Sequence, residues 1–385
     1  MCGIAGILQR RGTVELGALE RMAEGLRHRG PDDRGIERID AVGLAHTRLS
    51  IIDLAGGHQP LMTPERDLSL VANGEIYNYV ELREALEREH GVRFATGSDS
   101  ETILHAYAVH GLAALEHLHG MFAFALYDRR RGRLILARDR LGIKPLYYAV
   151  AGDRLAFASE IKALLPALPR SPALAPGAVM QFLQSQFSAG ADTALEGVHR
   201  VLPGEAIVVD SELNLEHHRY WSPLDVQPSP MSEAQATEAF DGLFDRVMRE
   251  HVRSDVPYGA FLSGGVDSGT LVGCLTRFQE GPVRTFSVGY AGADERGELA
   301  EAERIARRFG TRHRPLRLDR ERIFRRIPHM IWSADELMRD YACLPTALLA
   351  EAAGRELKVV FTGEGGDEMF AGYGRYRPAR ATALL

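Results

Sequence analysis

Two short stretches of the sequence place reactive side chains beside groups that could assist them. The first is MCGIAGIL, in which Cys2 becomes the first residue once Met1 is removed. A residue with a thiol and a free α-amino group pairs a nucleophile with a base, since such an amine has a reference pKa of about 8. The alternative interpretation is a small buried residue at the start of a strand.

The second stretch is FLSGGVDS, which ends a predicted strand and opens a predicted helix. Two adjacent glycines allow a tight turn, and a helix N-terminus carries partial positive charge, so the backbone amides would suit phosphate or pyrophosphate. Asp267 could hold a Mg²⁺ ion that bridges phosphate oxygens. The motif TGEGGDE at 362–368 ends another predicted strand in the same way, where open α/β sheets bind ligands. For either motif alone, a plain turn is the alternative.

The elements that position Cys2 lie in the first 200 or so residues, which are rich in short β-type runs. Antiparallel strands with packed helices predict an α+β sandwich. The runs predict strands over 2–8, 42–53, 68–72, 121–128, 133–139, 146–150 and 155–159, and the apolar spacing predicts helices over 16–26, over 79–89 and from about Asp99.

The pattern changes after Trp221. Residues 222–230 hold three prolines and predict a linker. From 231 onward helices alternate with strands, which predicts a parallel sheet with crossover helices. The predicted helices are 236–252, 268–278 and 300–309, and the predicted strands are 258–262, 283–288, 316–318 and 358–362.

Composition limits the classes of protein. A chain of 385 residues is too long for one ordinary core and predicts two domains. A net charge of −6 argues against a broad nucleic-acid surface, and no stretch approaches the roughly 20 apolar residues of a membrane span. Three widely separated cysteines fit neither a disulfide framework nor a zinc cluster. We therefore expect a cytoplasmic protein with neither nucleic-acid nor membrane partners.

Several further motifs have ordinary explanations singly but not as an ordered set. Together they resemble the glutamine-dependent asparagine synthetase family over residues 2 to about 376. The motifs are MCGIAG, RHRGPD, RLSIIDL, NGEIYN, GSDSE, GMFAFALYD, ARDRLGIKPLYY and SGGVDS.

The resemblance implies the architecture. Residues 2–205 would form an αββα Ntn-hydrolase sandwich with glutaminase activity, and 206–235 a connecting strand and linker. Residues 236–385 would form part of an α/β parallel-sheet domain of the ATP-pyrophosphatase type. Family members usually continue further, so this synthetase domain is expected to be truncated at its C-terminus.

The resemblance also implies roles at the glutaminase site. Cys2 is the nucleophile after loss of Met1, and the Asn73 side chain and Gly74 amide are the oxyanion donors. The ARDRLGIKPLYY motif is given a structural role only. The residues that the resemblance assigns to glutamine binding are Arg48 for the α-carboxylate, Glu75 and Asp99 for the α-ammonium group, the Asn73–Gly74 pair, and the neighbouring Leu49, Ser50, Ile51 and Ile52.

At the second site the resemblance implies ATP as substrate and Mg²⁺ as cofactor. Asp267 and Asp367 match Mg²⁺-associated positions, and Glu364 matches a residue that binds the acceptor or the intermediate. The residues that match nucleotide-binding segments are Leu262, Ser263, Gly264, Gly265, Val266, Asp267, Ser268, Val288, Thr362 and Gly363.

Three functions stay open at this point. The first is asparagine synthesis from aspartate, ATP and glutamine. The second is amidation of another carboxylate, in an envelope polysaccharide or natural product pathway. The third is a glutaminase or regulatory module without synthetase activity. The resemblance also allows a homodimer.

Overall fold

The computed structural model of the protein describes residues 1–290, 297–374 and 376. The chain divides into two compact units. Unit 1 comprises Met1–Thr237 and Ile331–Asp340, and unit 2 comprises Glu238–Met330 and Tyr341–Leu385. No helix in these described ranges is both long and apolar enough to cross a membrane.

Unit 1 is built from two antiparallel sheets with helices outside them. Short 3-10 helices lie at Gly111–Ala113, Leu165–Ala167 and Pro223–Asp225. The strands and α-helices run in chain order as β1 (Gly3–Gln9), α1 (Leu16–Gly25), β2 (Asp33–Ile39), β3 (Val42–Arg48), β4 (Leu61–Met62), β5 (Leu68–Ile76), α2 (Tyr79–His90), α3 (Glu101–His110), α4 (Ala114–His117), β6 (Gly120–Asp128), β7 (Arg133–Arg138), β8 (Tyr147–Ala151), β9 (Arg154–Ala158), α5 (Ile161–Leu164), α6 (Pro176–Ser185), β10 (His199–Arg200), β11 (Glu205–Val209) and β12 (Leu215–Arg219).

Each sheet has six strands. The first has the order β10-β8-β9-β1-β3-β2, and the second has the order β12-β11-β7-β6-β5-β4. Side chains from both sheets share one core, while α1 packs on the outer face of the first sheet and α2 and α3 on that of the second. The predicted αββα sandwich is confirmed.

Strand β1 shows why this sequence folds as an inner layer. Its side chains alternate between faces: Ile4 and Leu8 enter the core between the sheets, whereas Ala5 and Ile7 pack towards α1. Both faces are apolar, so all seven residues are buried. Helix α1 covers the outer face with Leu19, Met22 and Leu26, and burial of each such side chain contributes about 1.5–3 kcal/mol.

Unit 2 contains a four-stranded parallel sheet of order β15-β14-β13-β16, with helices connecting its strands. This confirms the predicted α/β architecture. Its elements are α7 (Glu233–His251), which begins in unit 1, then β13 (Tyr258–Phe261), α8 (Val266–Leu275), β14 (Arg284–Tyr290), α9 (Glu298–Phe309), β15 (Arg312–Leu318), α10 (Arg320–Ala334), whose last residues belong to unit 1, α11 (Cys343–Ala353), β16 (Val359–Phe361) and α12 (Gly366–Phe370).

Three features of unit 1 differ from the sequence prediction. The strand predicted over 42–53 ends at Arg48, and the residues after it form a loop. The Arg48 guanidinium donates to the carbonyl oxygens of Ile52, Asp53 and Leu54, which curls this loop back on the strand. Residues 205–219 form a hairpin that extends the second sheet, and β2 was not predicted at all.

Candidate active site

Strand alternation brings the predicted glutaminase residues to one space between the two sheets. Cys2 precedes β1 in register with Ile4, which faces the shared core. On β3, His46 and Arg48 follow the alternation set by Leu44 of that core. On β5, Asn73 and Glu75 likewise follow Val71. The fold therefore places the thiol, the arginine, the amide and the carboxylate on facing surfaces.

The Cys2 thiol lies against the end of β3. The amide N–H of Leu49 donates to its Sγ at 3.4 Å, and the thiol can donate to the Leu49 carbonyl oxygen at 3.7 Å. Burial raises the pKa of the Cys2 thiol, against the opposing effects of the Leu49 amide and the N-terminal ammonium. That ammonium group is on Met1 in this structure, and burial lowers its pKa to about 6. An amine with this pKa is neutral at pH 7 and can accept a proton.

The side-chain amide of Asn73 is a buried hydrogen-bond donor without an acceptor. The side chain is 1% exposed, and its Nδ2 is buried without a hydrogen-bond partner. Leaving such a donor unpaired costs about 1–3 kcal/mol, so its retention points to a ligand atom that it is built to meet. A developing oxyanion between the sheets is such an atom.

Gly74 is required by its neighbour strand β6. A Cβ at this position would overlap the Met121 carbonyl oxygen and lie 2.6 Å from Phe122 Cα. We expect Gly74→Ala to destabilise unit 1 by about 1–3 kcal/mol. Gly177→Ala is the matched control, since its Cβ would meet nothing within 4 Å in α6, and it should stabilise the protein by about 0.4–1 kcal/mol.

Urea unfolding followed by tryptophan fluorescence measures both variants. The two tryptophans of the chain, Trp221 and Trp332, both lie in unit 1, so the signal reports that unit. Equal midpoints for the two glycine variants would contradict the packing argument.

The loop after β3 contains the other predicted glutamine-binding positions. Ser50 is buried and its amide donates to Asp32 Oδ2 at 2.8 Å, while Ile51 and Ile52 are half-buried. The Arg48 guanidinium is itself buried, and in this structure its hydrogen bonds run to the carbonyls of the loop. Arg48 therefore fixes the conformation of the loop that follows β3.

Glu75 and Asp99 form an acidic pair. Asp99 is buried and accepts the amide of Ile76 at 2.9 Å. Burial, reinforced by the Asp99 charge, raises the pKa of Glu75 to about 7, and burial raises the pKa of Asp99 to about 6. A cation between them would restore both to the ionised form.

Lys144 was not predicted to belong to this site, because its motif was given a structural role. It is 6% exposed, and its charge acts on Glu75, Arg29 and Cys2. Burial lowers the pKa of its ammonium group. A lysine within the mostly apolar run LGIKPLYY at 141–148 was the available signal.

Arg29 of the RHRGPD motif is a second residue whose role was not predicted. Its Nε donates to the Cys2 carbonyl oxygen at 2.9 Å, and its Nη1 lies 2.8 Å from Glu160 Oε1. This pair fixes the main chain of the candidate nucleophile. The arginine is visible in the sequence, but its partner is 131 residues away and no local pattern joins them.

The raised pKa of Glu75 predicts a pH-dependent stability. Its folded-state pKa of about 7 lies above the ordinary value of 4.5 for a glutamate, so its contribution to stability is complete below about pH 4.5 and is lost as the pH rises to about 7. Glu75→Gln should therefore be more stable than the wild type at pH 8, by about 1–3 kcal/mol, and similar to it at pH 4. Glu87→Gln, on the exposed part of α2, should change little at either pH. Urea midpoints at the two pH values test this, and a Glu75→Gln effect independent of pH would refute it.

In unit 2 the SGGVDS residues form a compact turn at the N-terminus of α8. Ser263 Oγ and Ser268 Oγ are 2.8 Å apart, and the Gly265 amide donates to Ser263 Oγ at 3.1 Å. A Cβ on Gly264 would lie 2.9 Å from Glu301 Cβ, so the close approach of α9 favours glycine. Leu262 is buried and anchors the turn to β14, whereas Val266 is exposed.

The second glycine turn lies beside the first. Strands β13 and β16 are parallel neighbours, so both turns follow their carboxyl ends. A Cβ on Gly363 would lie 2.9 Å from the Ser268 amide, and one on Gly366 would lie 2.6 Å from the Asp267 carboxylate. The two predicted motifs therefore share one crevice, with Thr362 and Glu364 exposed at its edge. Val288 is half-buried in β14 and packs against the core below.

The carboxylates of Asp267 and Asp367 are the candidate Mg²⁺ ligands. Among the described residues no group of three or more His, Cys, Asp or Glu side chains is arranged as a metal site. Mg²⁺ is usually bound by one or two carboxylates together with substrate phosphates. Two carboxylates beside a glycine turn that exposes backbone amides fit that mode.

Two family models match the chain in succession. One, described as a glutamine amidotransferase domain, matches residues 1–221, and one described as asparagine synthase matches 239–384. The Methanocaldococcus jannaschii protein named putative asparagine synthetase [glutamine-hydrolyzing] 2 is 33% identical over 97% of this chain and 76% of its own length. The chain belongs to the glutamine-dependent asparagine synthetase family. The membership predicted from the motifs is confirmed.

Other members of this family cover the chain equally well. Asparagine synthetase [glutamine-hydrolyzing] 1 of Bacillus subtilis is 34% identical over 98% of this chain and 60% of its own length. A Penicillium rubens protein named amidase chyE is 33% identical over 98% of this chain and 60% of its own length. The chain thus spans about three fifths of the length of these two relatives.

Proposed function

We propose that the protein is a glutamine-hydrolysing asparagine synthetase. Cys2 would release ammonia from glutamine, and the ammonia would aminate aspartyl-AMP formed from aspartate and ATP, giving asparagine, AMP and pyrophosphate. The observation that carries the glutaminase half is the unpartnered Asn73 Nδ2, buried on the face of β5 that looks towards Cys2.

The first half-reaction follows from the groups around Cys2. Removal of Met1 would place the terminal amine on Cys2 itself. Burial already lowers the pKa of the Met1 amine to about 6, and we expect an amine one residue further into the fold to be neutral near pH 7 as well. The amine takes the thiol proton, and the thiolate attacks the carboxamide of glutamine. Asn73 Nδ2 and the Gly74 amide would then meet the oxyanion. The terminal ammonium returns that proton to the leaving nitrogen, the C–N bond breaks and ammonia leaves. Water then hydrolyses the thioester to glutamate and frees the thiol.

Charge recognition would hold glutamine in place. Arg48 suits the α-carboxylate, because its guanidinium can donate two parallel hydrogen bonds. Glu75 and Asp99 suit the α-ammonium group, and both are buried enough to be partly neutral without it. The positive charge of the substrate would therefore draw protons off the pair.

In unit 2 the paired glycine turns would bind ATP. The amides at the start of α8 and the hydroxyls of Ser263 and Ser268, which lie 2.8 Å apart, would bind the phosphates. Mg²⁺, held by Asp267 and Asp367, would supply charge neutralisation for the leaving pyrophosphate. Glu364, exposed beside them, would meet the acceptor.

A second candidate function is amidation of another carboxylate. The relative named amidase chyE is 33% identical to this chain, and asparagine synthetase 1 of Bacillus subtilis is 34% identical. Sequence identity therefore does not decide which carboxylate is the acceptor. The two functions share every residue described above. They differ only in the acceptor that unit 2 activates.

One assay distinguishes the functions. Glutamate and pyrophosphate are measured in parallel with glutamine and Mg-ATP, with and without aspartate. Pyrophosphate that depends on aspartate supports asparagine synthesis, and pyrophosphate that depends only on another carboxylate supports the second candidate. Glutamate without pyrophosphate from any acceptor would leave a glutaminase or regulatory module, and absence of both products would refute the proposal.

A further inference from the structure

Ten residues from the sequence of the synthetase half fold with unit 1. We call Ile331–Asp340 the strap. It lies within the range that matches the asparagine synthase model, yet it belongs to the compact unit formed by Met1–Thr237. It begins with the last residues of α10 and ends just before α11.

Residues of the strap contact Lys162 at the start of α5 through hydrogen bonds and an ion pair. The Asp335 carboxylate accepts the amide of Ile161 and lies 3.2 Å from Lys162 Nζ. Lys162 Nζ also donates to the Trp332 carbonyl oxygen at 2.9 Å and lies 4.4 Å from the centre of the Trp332 ring. Asp335 has a φ of 59°, an uncommon conformation for a residue with a side chain. These contacts hold it there.

Lys162 continues into the network that holds the candidate nucleophile. Its Nζ lies 2.6 Å from Glu160 Oε2, and the other oxygen of Glu160 lies 2.8 Å from Arg29 Nη1. Arg29 in turn donates to the Cys2 carbonyl oxygen at 2.9 Å. Three ion-paired or hydrogen-bonded steps therefore separate Lys162 from the main chain of Cys2.

A second route runs beside the first. The rings of Trp332 and His28 are 4.4 Å apart, and His28 Nε2 lies 3.0 Å from Glu160 Oε1. Burial disfavours the Glu160 charge, but hydrogen bonds from His28, Lys162 and Arg29 prevail and lower the pKa of Glu160 to about 2. Its side chain is 4% exposed, so this carboxylate depends on its cations.

The far end of the strap is fixed independently. Glu336 accepts hydrogen bonds from Arg200, with Nε at 2.8 Å, and from the Tyr147 hydroxyl. The Arg339 amide donates to the Gln186 carbonyl oxygen at 2.8 Å. Because both ends are anchored, Asp335 and Trp332 are presented to Lys162 in one arrangement.

We propose that Lys162, held by Asp335 and Trp332 of the strap, is a positioning residue that sets the main chain of Cys2 for glutamine hydrolysis. This inference rests on the proposed function, in which Cys2 is the nucleophile. The strap joins α10 to α11, and α11 leads through β16 to the TGEGGDE turn. Glutamine hydrolysis therefore depends on a segment whose two flanking helices belong largely to the synthetase half.

The test compares glutaminase kinetics of four variants of the full chain. Lys162→Met and Asp335→Asn should each lower kcat about tenfold with little change in KM for glutamine, because the network positions Cys2 rather than the substrate. Lys162→Arg keeps the cation and should retain most of the activity. Glu321→Gln removes an exposed acid from α10, outside the strap, and should behave as the wild type.

Folding is measured separately. Rates are scaled to the folded fraction of unit 1, which the fluorescence of the chain reports, so a partly unfolded variant still gives a kcat. Wild-type kcat in both Lys162→Met and Asp335→Asn would overturn the inference while leaving the proposed function intact. Equal rises in KM without loss of kcat would also overturn it. A wild-type chain that makes no glutamate would overturn both.

Discussion

Cys2→Ala should abolish glutamine hydrolysis, with a loss of more than about 10³-fold in kcat. The variant keeps the strand, the loop and the oxyanion donors, but no group remains that can form the thioester. Glutamate release is measured directly. If unit 2 is active in this chain, pyrophosphate release driven by added ammonium should survive, because the adenylating site does not use the thiol.

Cys274→Ala and Cys343→Ala are the matched controls. Both cysteines are half-buried, as Cys2 is, but they lie in unit 2. Each control should keep wild-type glutaminase activity. Retention of more than about 1% of the activity in Cys2→Ala would refute the nucleophile assignment, which allows a residual rate far below that.

Asn73→Ala should lower kcat for glutamine by about 10²- to 10³-fold, equivalent to about 2.7–4 kcal/mol of transition-state stabilisation. KM should change little, because the donor meets the oxyanion and not the planar amide of the substrate. Because Asn73 Nδ2 is buried without a partner, we also expect Asn73→Ala to lower the free energy of unfolding less than removal of a hydrogen-bonded polar group would. The combined readout is kcat, KM and the urea midpoint.

Asn214→Ala provides the control for Asn73→Ala. Asn214 is exposed and pairs with Asp210 in the turn between β11 and β12. Its loss should leave glutamine kinetics unchanged. If Asn73→Ala instead raised KM and kept kcat, its amide would bind the ground state of glutamine, and the oxyanion role would be wrong.

Much of the fold could be predicted because its signals are local. Strand β1 and strand β13 are short apolar runs, and helix α1 shows its helical periodicity within about ten residues. The end of β3 could not be predicted in this way. Residues 49–52 are mostly apolar, as in a strand, but hydrogen bonds from the Arg48 guanidinium and from the Ser50 amide to Asp32 hold them in a loop.

Some residues of the candidate site could be predicted from local motifs, and others could not. Cys2, Asn73 and the SGGVDS turn belong to contiguous motifs, so the sequence resemblance could assign them. Glu160 and Lys162 lie in no motif that suggested chemistry, and their partners are 131 and 173 residues away. Such pairs depend on tertiary placement, which a single sequence does not encode in any local pattern.

The membership of Ile331–Asp340 in unit 1 has a consequence for the order in which the protein is made. Chains emerge from the ribosome N-terminus first, and domains usually fold as they emerge. The glutaminase layers are complete in sequence by residue 237, but Lys162, Arg200 and Tyr147 must wait for a further hundred or so residues to be translated before they meet Asp335 and Glu336. A nascent chain would therefore acquire its final arrangement around Cys2 only after most of the synthetase half of this sequence exists. If the proposed function holds, this order would limit the release of ammonia before there is a site to receive it.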